Sequence, residues 1–331
     1  MHAALLKGKE QLVYTETDRP SIGPREVLLR VKNCGICGTD VHLFKGEPGS
    51  AAVTFPVILG HELSGIVEET GEAVTTLKKG DRVTVDPNLS CGRCAQCRRG
   101  QIHLCSHLQA VGVTRNGGMA EFVAVPETNC HLLPDSVSFE EGALVEPLGC
   151  VLHGVHQLRL TFGQSVLILG GGFIGMLFLQ VLRQYVPSRI VVSEPAEAKH
   201  ALIRSFGADE VINPLTAPLR ETFDIVIECV GKRETMETAV RTAGKGGQVL
   251  LFGVSSPETE IRVSPYEIFS KELTIKGSFI NPHTHPEAIE LIRKGVVNLS
   301  PLINHRIGLS EVPDVLGRYA SLGASKVMIH C

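Results

Sequence analysis

The feature that most constrains this 331-residue chain is a glycine turn set between two short apolar runs. Val166-Leu167-Ile168-Leu169 reads as a buried strand, and Gly170-Gly171-Gly172-Phe173-Ile174-Gly175 follows it in the pattern G-x-G-x-x-G. Residues 176–186 read as a helix stopped by Pro187, and Ile190-Val191-Val192 as a second strand ending at Ser193-Glu194. Such glycines allow a tight turn, bring backbone amides close to a pyrophosphate and seat the helix on the strand. Glu194, nineteen residues past Gly175, stands where an acid at the end of the second strand accepts hydrogen bonds from a ribose. The glycine pattern alone is weak evidence. Strand, turn, helix, strand and acid in the required order predict a dinucleotide site built from Gly170, Gly172, Phe173, Ile174, Gly175 and Glu194. The alternation continues through strands at 211–212, 223–230, 248–254 and 273–279, with helices at 196–206 and 234–242. Six strands in this order predict an α/β unit with a doubly wound parallel sheet.

The same region holds 23 consecutive uncharged residues, 160–182, long enough to span a bilayer. Gly170, Gly171 and Gly172 interrupt its middle and Gln164, Ser165 and Gln180 are polar, so a buried strand, turn and helix account for it better. The first ten residues carry only a short apolar stretch before Lys7 and no small-residue cleavage site, which predicts a cytoplasmic protein without a membrane partner. Lys and Arg number 32 against 35 Asp and Glu, with no basic block, no Trp and 5% aromatic residues. Neither a phosphate-neutralising surface nor a stacking platform is expected, so nucleic acid is not the predicted partner.

Ten cysteines in a long chain without a secretory signal point to metal or catalysis rather than disulfides. Cys91, Cys94, Cys97 and Cys105 form C-x2-C-x2-C-x7-C, with Gly92 and Gly100 supplying turn freedom. Four thiolates close a tetrahedral shell around zinc and leave no position for substrate, so a structural zinc lobe is expected at about 88–108. His103 and His107 are competing donors for the place of Cys105. A second cluster occurs near the start, where Cys34-Gly35-Ile36-Cys37-Gly38-Thr39-Asp40-Val41-His42 is followed by Gly60-His61-Glu62. Cys37, His61 and Glu62 would give a mixed-ligand metal site with an open position, as Lewis-acid chemistry requires.

Short strand-like runs at 26–31, 64–69, 82–85 and 122–125 predict a β-rich first domain, and 283–331 adds one helix, 286–294, and a last strand, 326–330. Together with Gly142-Ala143-Leu144-Val145-Glu146-Pro147-Leu148, these motifs resemble the zinc-dependent medium-chain dehydrogenase/reductase superfamily, and more narrowly its polyol dehydrogenase branch. The resemblance covers essentially the whole chain. It implies a GroES-like catalytic domain at 1–148 and 283–331 around a Rossmann domain at 149–282.

It further implies two zinc ions per chain, with Cys37 and His61 as ligands of the catalytic one. Glu62 and Glu146 occupy positions where this branch has carboxylates on or near the metal. A thiolate, a neutral imidazole and one carboxylate already neutralise a dication, so Glu146 is expected to act mainly through the water or alcohol beside it. Thr39 and His42 resemble the family's proton relay. The alternatives for these two are a helix N-cap and a surface histidine. The implied reaction is hydride transfer from an alcohol to a nicotinamide, which makes Thr39, His42, Glu62 and Glu146 the catalytic candidates. The Glu194 carboxylate favours NAD over NADP, with Lys199 the nearest cation.

The expected substrate is a secondary alcohol: a sugar alcohol, another polyol or a phosphate of one. Sorbitol dehydrogenases carry an Arg-Tyr pair where this chain has Ile280-Asn281, and the polar neighbours His283 and His285 fit either the site or a surface loop. The rivals are an L-threonine 3-dehydrogenase and, from another class, a non-catalytic zinc module for binding proteins. The family resemblance implies a homodimer or homotetramer.

Overall fold

The apolar runs after residue 160 become one parallel sheet in the computed structural model, which describes residues 1–47, 49, 53–185 and 187–331. Its six strands lie in the order Glu210–Ile212, Arg189–Ser193, Ser165–Leu169, Phe223–Glu228, Ala243–Leu251, Thr274–Gly277. Every neighbouring pair is parallel. Strand order reverses beside Ser165–Leu169, and the crevice at the carboxyl ends of strands on either side of such a point is where a dinucleotide binds this architecture. Val166, Leu167 and Ile168 are all buried, which is why this strand reads as an unbroken apolar run.

The helix after the turn spans Phe173–Leu182, three residues earlier than the sequence pattern placed it, and Gly172 is its N-cap. The last three residues of the glycine pattern are therefore part of the first helical turn, while Gly170, Gly171 and Gly172 form the turn before it. A Cβ at Gly175 would stand 1.9 Å from the Gly170 carbonyl oxygen, so only glycine lets helix and strand approach this closely. Nine of the ten helix residues are buried, which explains the uncharged run. Arg183–Tyr185 continue as a single 3-10 turn, and Val186, the last residue of the expected helix, lies outside the described residues. Among the described residues no helix is long and apolar enough to cross a membrane.

This sheet belongs to a unit of residues Cys150–Phe279; the other unit joins Met1–Gly149 to Ile280–Cys331. The second segment of that unit starts at Ile280 rather than 283. Asn281 is fully buried there, taking a hydrogen bond from Asn88 and donating to Glu146. The core of this unit is a sheet ordered Cys130–Leu132, Arg82–Val85, Glu62–Thr70, Glu26–Ile36, Lys326–His330, Ile303–Gly308. Phe122–Pro126 also pairs with Glu26–Ile36, and His2–Leu6, Leu12–Glu16 and Val57–Ile58 form a smaller sheet.

The strand Glu26–Ile36 runs eleven residues, well beyond the expected 26–31. Lys32, Asn33 and Gly35 break the apolar pattern, but the last strand of the chain pairs with residues 33–36 and holds them extended. Buried Leu29, Ile36, Leu63, Val67, Val83, Val327 and Ile329 pack the sheet against its neighbours.

Candidate active site and metal centres

Three strand ends converge on the first cluster. Cys37 follows Glu26–Ile36 directly and is the N-cap of the helix Gly38–Phe44. Glu62 opens the strand Glu62–Thr70 opposite Gly35, and Lys326 opens the last strand, whose next residue lies opposite Ile36. A Cβ at Gly35 would come 2.1 Å from a Glu62 carboxylate oxygen, so the missing side chain is what makes room for that carboxylate. One ligand atom each from Cys37, His61 and Glu62 lies within 4.8 Å of the others.

The charges around His61 show what the cluster lacks. Burial pushes its imidazole down, but the Asp40 and Cys37 charges beside it outweigh burial and hold it well above the usual histidine range. Asp40 is fully buried, takes a 2.8 Å hydrogen bond from the Cys37 backbone N–H, and aims its other oxygen at His61 Nδ1 across 3.5 Å. That oxygen and His61 Nδ1 make no hydrogen bond. A thiol, an imidazole and a carboxylate converging in an electronegative, largely buried site fit a divalent cation, and an Asp behind the His is the usual orienting partner of a metal-binding imidazole.

Lys326 makes 2.8 Å contacts with both Glu62 oxygens and donates to the Ile36 carbonyl at 3.1 Å, all inside the core. Burial pushes its ammonium down, yet the Glu62 and Cys37 charges hold it above the usual lysine range. Glu146, near the start of the helix Val145–His156, is not a member of the Cys37–His61–Glu62 group. Its Oε1 takes a hydrogen bond from Asn281 Nδ2 at 3.1 Å, and Asn281 in turn accepts from Asn88 at 2.7 Å.

Thr39 lies in the first turn of its helix with Oγ1 3.7 Å from Cys37 Sγ, so it is not the N-cap and its hydroxyl faces the cluster. His42, one turn later, is one-third exposed, and its Nδ1 is hydrogen-bonded to Glu47. The two residues thus stand at the inner and outer ends of one helical turn.

The four cysteines of the lobe also converge, with one sulfur each within 4.8 Å of the others. Cys94 Sγ is 3.5 Å from Cys97 Sγ and 3.9 Å from Cys105 Sγ, and neither His103 nor His107 belongs to the group. Backbone N–H groups of Cys97 and Ser106 pull the Cys94 thiol down to about 5, while desolvation and neighbouring sulfurs push Cys97 up to about 11. Four sulfurs this close ionise together only around a cation, so the set fits zinc. Cys94→Ser is expected to lose one zinc per chain by elemental analysis and to melt at lower temperature while zinc at the Cys37 cluster is retained. An unchanged metal count sinks the four-thiolate site.

In the other unit, Gly171 N donates to Glu194 Oε2 and Ala196 N to Oε1, both at 2.9 Å. Glu194 therefore sits beside the glycine turn at the end of the second strand, and each oxygen keeps a lone pair for another donor. Lys199 ends the 3-10 turn Glu197–Lys199 five residues on and is half-buried. Phe173 is buried where the helix begins.

Residues 23–135 match the alcohol dehydrogenase GroES-like domain, and 174–294 match the zinc-binding dehydrogenase domain. L-idonate 5-dehydrogenase of Vitis vinifera is 36% identical over 93% of this chain and 88% of its own. D-altritol 5-dehydrogenase of Agrobacterium fabrum is 35% identical over 94% of each. The chain belongs to the zinc-dependent medium-chain dehydrogenase family. It falls in the polyol dehydrogenase branch of that family. A solved zinc-binding dehydrogenase from Sinorhizobium meliloti 1021, bound to NADP, superposes with a TM-score of 0.95 at 38% identity, covering 100% of this chain and 99% of that one.

Two residues of this dehydrogenase's cluster were not singled out by sequence reasoning. Asp40 was visible inside the Cys37–His42 motif, three positions after the thiol it supports. Lys326 had no local signal, since it meets Glu62 across 264 positions. His285, read as either site or surface loop, is buried, whereas His283 is exposed.

Proposed function

We propose that this dehydrogenase oxidises a secondary alcohol of a polyol or sugar acid, and reduces the matching ketone, with NAD as the hydride carrier. The observation that carries the reading is the convergence of Cys37, His61 and Glu62 on one buried point with Thr39 beside it. Cys37 and His61 hold the catalytic zinc, with Glu62 on or beside it; Cys91, Cys94, Cys97 and Cys105 hold the structural one. When bound, zinc supplies Lewis acidity towards the alcohol oxygen and NAD accepts the hydride.

The remaining roles fall to the chain. Asp40 fixes the orientation of His61. The Thr39 hydroxyl takes the alcohol proton, and His42, paired with Glu47 and open to solvent, releases it. Asn281 holds the Glu146 carboxylate in place to accept hydrogen bonds from substrate hydroxyls or a bound water. Gly170, Gly172 and Gly175 with Phe173 and Ile174 form the pyrophosphate turn.

The relatives that act on idonate and altritol favour a sugar acid or sugar alcohol over L-threonine. A panel of aldonates, alditols, their phosphates, vicinal diols and L-threonine, read as NAD reduction, tests this. Turnover is expected with one of the polyhydroxy compounds. Preference for threonine, or no reduction with any of them, overturns the reading.

Glu194 supports NAD, since a carboxylate that accepts from the ribose also repels a 2′-phosphate. Losing a charge-assisted hydrogen bond costs about 1.5–3 kcal/mol, so Glu194→Ser is expected to weaken NAD by about 10- to 150-fold. NADP should gain, helped by Lys199. The ratio of kcat/KM for the two cofactors at one ionic strength is the test, and a ratio unchanged within about twofold removes Glu194 from the ribose.

A homodimer or homotetramer is part of the proposal. The edge strand Thr274–Gly277 has no outer partner among the described residues, and exposed Tyr266, Phe269 and Phe279 flank it. Such an edge favours pairing with a second copy.

A further inference from the structure

A third group of metal-capable side chains lies in the first unit, and no part of the proposed chemistry uses it. Asp86, His131 and His285 each offer one donor atom, and the three atoms lie within 4.8 Å of one another. Neighbouring strands bring two of the three together. Asp86 follows the strand Arg82–Val85, and His131 lies in Cys130–Leu132, which pairs with it antiparallel. His285 comes from the returning segment, as the first residue of the helix His285–Arg293. It is 1% exposed. Its ring stacks on His131 with centroids 4.9 Å apart, and its Nδ1 stands 4.0 Å from Asp86 Oδ2.

The polar accounts of these residues do not close within the protein. Neither ring nitrogen of His285 makes a hydrogen bond of acceptable geometry, although the Val85 carbonyl lies near enough to favour its protonated form slightly. Among the described residues the Asp86 carboxylate accepts only from Asn88, at 3.0 Å from the backbone N–H and 3.1 Å from the side-chain amide. Among the described residues it has no Lys or Arg partner. Burial raises the Asp86 carboxyl, and burial holds both imidazoles down at about 4. Two neutral imidazoles with free lone pairs therefore face a carboxylate with no counter-charge, in a place where orphaned buried groups are costly. His283, the other titratable group felt by Asp86, adds no negative charge.

We propose that Asp86, His131 and His285 form a further metal site, separate from the catalytic cluster and the four-cysteine lobe, that takes a borderline divalent ion such as zinc. Two imidazoles and a carboxylate are the donor set such ions prefer. Donors at about 2.0–2.2 Å from one ion stand roughly 3.4 Å apart in a tetrahedron, so the set must close by about 0.7 Å per side chain at most and the stacked rings must tilt. The ion would tie the returning segment to the edge of the sheet. Through Asn88 and Asn281 it would also steady the carboxylate of Glu146, since Asn88 Nδ2 contacts both Asp86 and Asn281.

The test counts zinc per chain by elemental analysis in the full-length protein, after equilibration with zinc alone and removal of the excess by gel filtration. Wild type, His131→Gln, His285→Phe and the double variant are compared. Each single variant is expected to hold one ion fewer than wild type, and the double variant also one fewer, because both residues serve a single ion. His131 is only half-buried, so His131→Gln carries the test if His285→Phe does not fold. Equal counts in wild type and His131→Gln overturn the site. A loss of two ions in the double variant overturns it as well, since that is the behaviour of independent surface histidines. The readout is a difference between variants and does not depend on which alcohol, if any, is oxidised.

Discussion

Cys37→Ser should abolish turnover while leaving NAD bound. In the proposed site the thiolate helps to hold the metal beside His61, so its removal is expected to weaken metal binding, and loss of the ion takes away Lewis acidity worth several kcal/mol in the transition state. At about 1.4 kcal/mol per factor of ten, kcat should fall by about a thousandfold or more. The glycine turn and Glu194 belong to a unit that folds around its own parallel sheet, so the NAD dissociation constant should stay within about threefold of wild type. Single-turnover kinetics and cofactor fluorescence separate the two effects. Near-wild-type turnover would remove Cys37 from the mechanism, and lost NAD affinity would show that the damage is not local.

Lys326→Met should be the most destabilising single change at the site. It leaves the Glu62 carboxylate buried without its ammonium, and breaking a buried pair by removing one partner costs about 3–5 kcal/mol. For a unit of this size that is a fall in Tm of roughly 6–20 °C. The loss should be full in chelator-treated protein and smaller in metal-loaded protein, because a dication also compensates the carboxylate. Adding Glu62→Gln to Lys326→Met should recover much of the stability in the chelated state. A double variant as unstable as the two single losses added together would show that the ion pair contributes nothing through its charges.

The parallel sheet was legible because a strand buried on both faces writes itself as three or four consecutive apolar residues, as at 166–169 and 190–192. The helix at 173–182 was legible in kind but not in its start, since glycine reads as turn while Gly175 is helical here for reasons of contact. The four cysteines and the Cys37 motif were legible because metal ligands come in short spacings. Glu146 was named for the metal's surroundings, and the amide chain from Asn281 that holds it could not be read. Asp86, His131 and His285 lie in three separate stretches with no motif among them, and Lys326 meets Glu62 only through the pairing of distant strands. Spacing reveals what a loop brings together. It is silent on what a sheet brings together.

The position of Lys326 also bears on how the protein is made. Glu62 and its lysine are separated by 264 positions, with the whole nucleotide unit emerging between them. At about 5–20 residues per second, a ribosome leaves that carboxylate without its partner for roughly 13–50 s. Over the same interval residues 33–36 lack the strand that later pairs with them, and the nascent sheet shows an unpaired edge. The nascent chain is then most exposed to aggregation and most in need of chaperones. Slow codons within residues 150–325 should therefore lower the yield of active protein more than equal delays within residues 1–60, before Glu62 has been made.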